Sequence, residues 1–174
     1  VGSEMCIRDS YNTSVDIDLD LLASHSNDNP VYYVQYAHAR SCNVARNAAD
    51  AGITQDGADL SLLNTETDGE VLAALAQWPA ALAQAGDLRA PHRVAHYLED
   101  LAASYHKWYN LERVVPMELT DPENRLPEAE REAQRIAKCP EPARAAARLK
   151  LNAAVRTVIA TGLDLLGVSA PEKM

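Results

Sequence analysis

Phenylalanine is absent from this sequence of 174 residues, whose aromatic side chains are seven tyrosines and two tryptophans. Both residue types keep a hydrogen-bonding group at one end, so they suit half-buried positions beside a polar partner. No apolar run approaches the ~20 residues that a membrane-spanning helix requires, and no membrane partner is predicted. The three cysteines (Cys6, Cys42, Cys139) are odd in number and share no motif spacing. We therefore expect reduced thiols in a cytoplasmic protein rather than a disulfide framework.

Sequence motifs for catalysis are missing as well. The chain has no P-loop, no glycine-rich phosphate-binding loop and no Ser-His-Asp pattern. His92 and His96 are spaced to face one point from a single helix, but no further ligands complete a zinc-binding pattern. Cys42 follows His38 by one helical turn and is interpreted as a small buried side chain. The prediction is no catalytic residue, no metal ligand and no cofactor in this chain, with a metal-binding bundle as a weaker alternative.

The acidic balance of the chain limits the kinds of partner that we expect. A formal net charge of −9 at pH 7 argues against general binding to polyanions such as DNA, which depends on many phosphate contacts. It permits recognition of a polyanion through a small local cationic surface. Acidic residues crowd positions 118–132 and basic residues follow them, a segregation that usually marks a solvated face. An alternative hypothesis is a helical protein–protein interaction module that uses the acidic segment 118–132.

Helical periodicity dominates the chain and predicts an all-α bundle of about five to seven helices. The length suits one domain with a substantial core. One helix is expected to begin at Pro91, and a final helix is expected over about 143–162. The core stripe of the first is Val94, Leu98, Leu101, Tyr105 and Trp108, and that of the second is Leu151, Val155, Val158 and Ile159.

Two shorter helices are predicted to meet at a corner at Trp78-Pro79. Thr67 and Glu70 match a capping box at the start of the first one. The second is expected to begin at Pro79 and to turn Leu82 and Ala83 inward. Further leucines are expected to attach flanking segments to the core: Leu60, Leu62 and Leu63 before the corner, and Leu163, Leu165 and Leu166 near the end.

The segment from Asn29 to Asp50 is the most informative part of the sequence. Asp28 or Asn29 can cap a helix there, Pro30 suits its first turn, and Gly52 follows its end. Its apolar stripe is Val34, Ala37, Val44 and Ala48. Tyr36, Arg40, Asn43 and Arg46 share another face, and such side chains recognise unpaired RNA bases by stacking and hydrogen bonding. The alternative is that the tyrosines belong to the core and the arginines are solvated.

Residues 30–40 (PVYYVQYAHAR) resemble the segment that opens the anticodon-binding domain of arginyl-tRNA synthetases. The tail 162–174 (GLDLLGVSAPEKM) resembles the end of the same family. The resemblance covers roughly residues 16–174. It implies an all-α helical bundle of the class I synthetase anticodon-binding type.

The resemblance also implies particular roles. Arg46, Tyr109 and Met174 match family residues beside the central anticodon base, whereas Tyr36 and Arg40 are interpreted as supporting or phosphate-positioning. The predicted anticodon-binding residues are Tyr36, Arg40, Asn43, Arg46, Tyr109 and Met174.

The resemblance further implies a domain division and a parent enzyme. Residues 11–27 are expected to be a junction to a catalytic domain and 28–174 the helical anticodon-binding domain. Separately from this resemblance, residues 1–10 have no signal-peptide layout and are expected to be a non-native leader. The parent would be a monomeric arginine–tRNA ligase that uses ATP and Mg²⁺ and binds tRNA(Arg). The HIGH-like and KMSK-like motifs of the family do not occur here, so this chain is expected to contribute recognition and no chemistry.

Overall fold

The computed structural model describes residues 29–115 and 141–174, which contain α-helices, one 3-10 helix and no β-strand. The predicted all-α class is confirmed. The expectations for residues 1–10, 11–27 and 118–132 lie outside the described ranges. In chain order the elements are α1 (Pro30–Asp50), the 3-10 helix (Leu60–Leu62), α2 (Glu66–Ala76), α3 (Trp78–Asp87), α4 (His92–Leu111) and α5 (Pro142–Leu165). None of the helices in this part of the chain is both long and apolar enough to cross a bilayer.

Helix α1 begins and ends at the residues that the sequence indicates. The Asn29 side chain accepts hydrogen bonds from the backbone N–H groups of Val31 and Tyr32, at 3.1 and 3.3 Å. These bonds satisfy donors that have no partner within the helix. The helix ends before Gly52, whose φ of 65° is a left-handed conformation that glycine adopts without strain.

Helix α4 is the centre of the fold and packs against all four other α-helices. Its predicted core stripe is confirmed, because Val94, Leu98, Leu101, Tyr105 and Trp108 are all buried. Helix α1 packs against α5 and α4, with its predicted apolar stripe buried as well.

A buried asparagine connects three of the helices. Asn152 on α5 accepts a hydrogen bond from the Tyr105 hydroxyl at 2.8 Å and donates one to the Ser41 carbonyl at 3.0 Å. Buried polar groups of this kind fix how neighbouring helices are rotated, because each unmade bond would be costly. Helix α5 also approaches α4 closely at Gly162, where an added Cβ would lie 2.6 Å from Leu98 Cδ2.

The predicted cap of α2 was wrong by two residues. The capping box joins Thr65 and Asp68, not Thr67 and Glu70. Both pairs fit the sequence pattern, but the tertiary contacts favour the first pair. Asp68 is completely buried and also accepts a hydrogen bond from Trp108 Nε1 at 2.8 Å, whereas Glu70 faces outward.

Trp78 is the first residue of α3, one position earlier than predicted, and the inward face of this helix also differs. Ala81 and Ala85 pack against the core, and Trp78 lies 5.1 Å from Tyr97 between ring centroids. The spacing from Trp78 to Ala81 and Ala85 defines this face, so Leu82 and Ala83 are turned outward. Leu60 and Leu165 are also exposed, contrary to prediction, while Leu63, Leu163 and Leu166 do pack against the core.

A network of charged groups closes the junction of α2, α4 and α5. Arg148 pairs with Glu112, donates to the Arg113 carbonyl at 3.1 Å, and places its Nε 3.9 Å from Asp68 Oδ1. Glu112 accepts a further hydrogen bond from the Thr67 hydroxyl at 2.9 Å. We call this set (Thr67, Asp68, Trp108, Glu112, Arg148) the buried polar network. It holds the C-terminal end of α4 in place.

Candidate functional site

An open cavity of about 590 Å³ lies where α1, the end of α4 and the C-terminal tail converge. Its volume is within the range of about 300–1,000 Å³ that is usual for sites that bind small groups. We call it the tyrosine–arginine cavity. Its lining residues are Tyr36, Ala39, Arg40, Asn43, Arg46, Tyr109, Glu172, Lys173 and Met174.

The structure brings together all six residues that the sequence singles out. Tyr36, Arg40, Asn43 and Arg46 reach the cavity from α1, Tyr109 reaches it from α4, and Met174 from the tail. Asn43 is exposed and Met174 is half exposed, whereas Tyr36, Arg40, Arg46 and Tyr109 are partly buried. Their role in binding an anticodon stays a prediction.

Arg40 is held by four contacts around the cavity. Its Nη1 donates to His106 Nδ1 at 2.8 Å and its Nη2 donates to the Tyr36 hydroxyl at 2.9 Å. The guanidinium carbon lies 4.6 Å from the centre of the Tyr36 ring and 4.4 Å from that of Tyr109. These distances are typical of cation–π interactions. Arg40 therefore connects the two tyrosine rings of the cavity.

The pairing of Arg40 leaves its charge uncompensated. Within residues 29–115 and 141–174, no carboxylate pairs with it. Its partners are a neutral hydroxyl, two aromatic rings and the imidazole of His106. Burial, followed by the charge of Arg40, lowers the pKa of His106 to about 4, so this imidazole is uncharged at neutral pH. The lining of the cavity thus keeps the positive charge of Arg40.

Three side chains of α1 hold the C-terminal tail against the helix. Gln35 Nε2 donates to the Ser169 carbonyl at 2.8 Å, and His38 Nδ1 is 2.9 Å from the Pro171 carbonyl oxygen. A carbonyl oxygen can only accept, so Nδ1 of His38 carries a proton in this contact. Arg46 donates to the Glu172 carbonyl at 3.3 Å. These bonds place residues 172–174 at the cavity.

A second cavity of about 410 Å³ shares Asn43 and Tyr109 with the first. Its further polar lining comes from Asn47, Glu112 and Arg113. Amide groups and a guanidinium are the donors and acceptors that hydrogen-bond to base edges. The polar surface therefore extends beyond the tyrosine–arginine cavity along the α1–α4 contact.

The histidines and the cysteine considered above as candidate sites lie elsewhere. His92 and His96 are at the start of α4, with ring centroids 6.2 Å apart. The described residues include no group of three or more His, Cys, Asp or Glu side chains placed to hold a metal ion. Cys42 is buried as predicted, with its sulfur 3.9 Å from both ring nitrogens of His38.

Comparison with known proteins identifies the family. The sequence profile of the DALR anticodon binding domain matches residues 34–174. The chain belongs to this family. Among similar proteins, the arginine–tRNA ligase of Bifidobacterium adolescentis is 80% identical over 167 residues, which are 96% of this chain and 28% of that protein. The arginine–tRNA ligase of Kineococcus radiotolerans is 52% identical over 169 residues, which are 97% of this chain and 27% of that protein.

A solved structure has a similar fold. Thermus thermophilus arginyl-tRNA synthetase superposes with a TM-score of 0.69 at 30% sequence identity, covering 99% of this chain and 26% of that one. The chain therefore spans little more than a quarter of the length of the relatives it matches. The predicted resemblance and its all-α domain type are confirmed.

Sequence reasoning missed several residues that build the cavity of this DALR domain. No role in binding is predicted from the sequence for His106, Gln35 or His38. Glu172, which also lines the cavity, has no predicted role either. The sequence does show that His106 and Tyr109 are one turn apart and so share a face of α4. This spacing does not reveal which α1 residue they contact.

Proposed function

We propose that this chain reads the anticodon loop of tRNA(Arg) as the recognition domain of an arginine–tRNA ligase. Its membership of the DALR family and the names of its relatives support this function. The observation that carries the proposal is the convergence of the six predicted residues on one open cavity.

The chemistry of the cavity suits an unpaired base. Such a base offers a flat ring and free hydrogen-bonding edges, which aromatic rings, guanidinium planes and side-chain amides recognise. Tyr36 and Tyr109 supply rings, Asn43 supplies an amide, and Arg46 retains donors beyond its single bond to the tail. These groups come from two helices, α1 and α4, so their convergence is a property of the fold.

The charge of the cavity is compatible with RNA despite the acidic chain. Arg40, Arg46 and Lys173 line it together with one acidic side chain, that of Glu172. Local positive potential steers and positions a polyanion even where the net charge of the protein is negative. We propose that Lys173 and Arg46 approach the phosphates and base, while Arg40 supports the rings.

We propose that arginine attachment takes place in the parent enzyme outside this chain. The parent would use ATP and Mg²⁺, act as a monomer in the cytoplasm and join arginine to its tRNA. Residues 28–174 would be its anticodon-binding domain and 11–27 the junction to its catalytic domain, whereas residues 1–10 would be a leader foreign to the parent enzyme.

Binding of tRNA transcripts to the 174-residue chain tests this function. A good contact to one base contributes ~1–3 kcal/mol, so changing the central anticodon base is expected to weaken binding about tenfold or more. Arg46→Ala and Tyr109→Ala are expected to abolish this difference between transcripts. Arg93→Ala is the control, because Arg93 is exposed on α4 and bonds to Gln84 instead.

Equal affinity for both transcripts would contradict base recognition. If the two variants also lose their cooperative unfolding transition, whereas Arg93→Ala keeps it, then Arg46 and Tyr109 act in folding rather than in recognition. Binding of a protein partner that depends on segment 118–132, without binding of RNA, would instead favour an interaction module.

A further inference from the structure

His106 is a buried histidine that the proposed function leaves without a role. It lies on α4 one turn before Tyr109 and is about 8% exposed. Three tyrosines surround its ring, with centroids at 4.7 Å for Tyr33, 5.6 Å for Tyr36 and 6.0 Å for Tyr105.

The hydrogen bonds of His106 determine which nitrogen carries its proton. Arg40 only donates, so Nδ1 of His106, at 2.8 Å from Arg40 Nη1, must accept and be unprotonated. The proton is then on Nε2, which faces the Tyr33 carbonyl oxygen at 3.5 Å. The two ring nitrogens thus have different partners, one on a side chain and one on the backbone of α1.

Arg40 transmits this arrangement to the cavity. Its guanidinium bonds to His106 and to the Tyr36 hydroxyl, and it rests over the rings of Tyr36 and Tyr109. A guanidinium is planar, so fixing two of its nitrogens fixes the plane that both rings contact. Removing the His106 acceptor would leave the Tyr36 hydroxyl as the one hydrogen-bond partner described for this guanidinium, so its plane would be less firmly fixed.

We propose that His106 is a positioning residue, whose neutral Nδ1 orients Arg40 so that Tyr36 and Tyr109 are held ready to receive the base. The assignment rests on the proposed function, since it concerns the same cavity. A carboxylate at this position would orient Arg40 equally well but would cancel its charge. A neutral acceptor orients Arg40 and leaves the positive charge for RNA.

Two substitutions separate positioning from packing. Asparagine in His106→Asn places a carboxamide oxygen near the position of Nδ1 and keeps an acceptor for Arg40, whereas His106→Leu keeps apolar volume and has none. Both are compared with wild type in binding transcripts with the native or the changed central anticodon base. Thermal unfolding of each variant confirms that it is folded.

We expect the discrimination of about tenfold to fall below about threefold in His106→Leu and to be largely retained in His106→Asn. Equal losses in both variants, or full discrimination in His106→Leu, would overturn the proposal.

Nuclear magnetic resonance of the wild-type protein tests the geometry around His106 without RNA and without a variant. The imidazole ¹⁵N shifts of wild type at neutral pH are expected to show a protonated Nε2 and an unprotonated Nδ1, with slow rotation of the Arg40 guanidinium. The opposite tautomer, or a freely rotating guanidinium, would disprove the positioning role. If these signals are as expected and neither transcript is preferred by wild type, the proposed function fails and the cavity geometry stands.

Discussion

Trp108 and Tyr109 are neighbours on α4, yet they belong to two regions of opposite character. Trp108 is fully buried and donates to Asp68 in the buried polar network. Tyr109 is turned about 100° from it around the helix and lines the open tyrosine–arginine cavity. Each region combines an aromatic ring, an arginine and hydrogen-bond acceptors.

The two arginines show how the regions differ. Arg148 pairs with the carboxylate of Glu112 and lies 3.9 Å from that of Asp68, so its charge is neutralised within the protein. Arg40 pairs with neutral His106 and with tyrosine rings. A charge satisfied by carboxylates stabilises a fold, whereas a charge held by neutral groups remains available to a polyanion. Both residues are arginines, so it is the groups around each side chain that make Arg148 structural and leave Arg40 able to attract RNA.

The largest expected effect comes from breaking the buried network. Arg148→Met leaves the carboxylates of Glu112 and Asp68 without their cation, and removal of one partner of a buried pair is expected to lower the free energy of unfolding by about 3–5 kcal/mol. Urea unfolding measures this loss.

Arg156→Met is the matched control for Arg148→Met, because Arg156 lies two turns further along α5 and is only partly buried. Similar losses in the two variants would show that the network has no special structural role.

The neighbouring aromatics provide the next test. Trp108→Phe removes the donor to buried Asp68 and also some core volume, so we expect a loss of about 2–4 kcal/mol in the free energy of unfolding. Tyr109→Phe removes a hydroxyl at the cavity and is expected to change the same quantity by less than about 0.5 kcal/mol. Urea denaturation of both variants under the same conditions measures the two losses. The comparison of the two regions breaks down if Tyr109→Phe proves the more damaging.

The pH dependence of stability tests the role of His106, the partner of Arg40, in the second region. Its folded pKa of about 4 lies below the usual 6.5, so the unfolded chain binds more protons between these values. The contribution of His106 to stability is therefore fully present above pH 6.5 and is lost as the pH falls towards 4. The groups that face the ring are the Arg40 guanidinium and the side chains of Tyr33, Tyr36 and Tyr105. At about 1.4 kcal/mol per pH unit, the loss is at most about 3.5 kcal/mol.

Urea unfolding at several pH values measures this contribution. His106→Asn is expected to flatten the dependence between pH 4 and 6.5, because asparagine does not titrate. His96→Asn, at an exposed position of the same helix, reports the general effect of replacing a histidine. An unchanged slope in His106→Asn would mean that other groups account for the acid sensitivity.

The smallest expected effect concerns the tail. Gln35→Ala removes the bonds to the Ser169 carbonyl and hydroxyl, at 2.8 and 3.3 Å. We expect faster amide exchange in residues 169–174 and severalfold weaker tRNA binding, which corresponds to about 1 kcal/mol. Gln84→Ala, which removes an exposed glutamine on α3, should leave both unchanged. Slow exchange of the tail in Gln35→Ala would show that His38 and Arg46 hold it without Gln35.

Much of the fold follows from local patterns along the chain. The Gly52 stop and the α4 stripe from Val94 to Trp108 are predicted correctly because they depend on neighbours within one or two turns, and the cap of α1 is one of the two residues predicted, Asn29. The errors arise where two local choices have similar energies. Thr65 and Thr67 both suit a cap, and the difference comes from Trp108, which lies far away in sequence.

The residues of the candidate site and their meeting at one pocket were predictable, but the side-chain contacts within it were not. The side chains on one face of α1 follow from helical spacing, and Tyr109 and Met174 from the family resemblance. The contact of Arg40 with His106 spans 66 positions, and that of Gln35 with Ser169 spans 134. No periodicity within a helix reports such distances.

The sequence alone determined that this chain is helical, which stripes are apolar, and which polar face of α1 is rich in tyrosine and arginine, since these depend on spacing along single helices. Tertiary structure decided that Arg148 is neutralised by carboxylates, that Arg40 pairs with none within residues 29–115 and 141–174, and that the tail lies against α1. The physical reason is that these outcomes depend on how the helices are rotated and crossed. That geometry is set by packing of the whole core and by a few buried hydrogen bonds, such as those of Asn152.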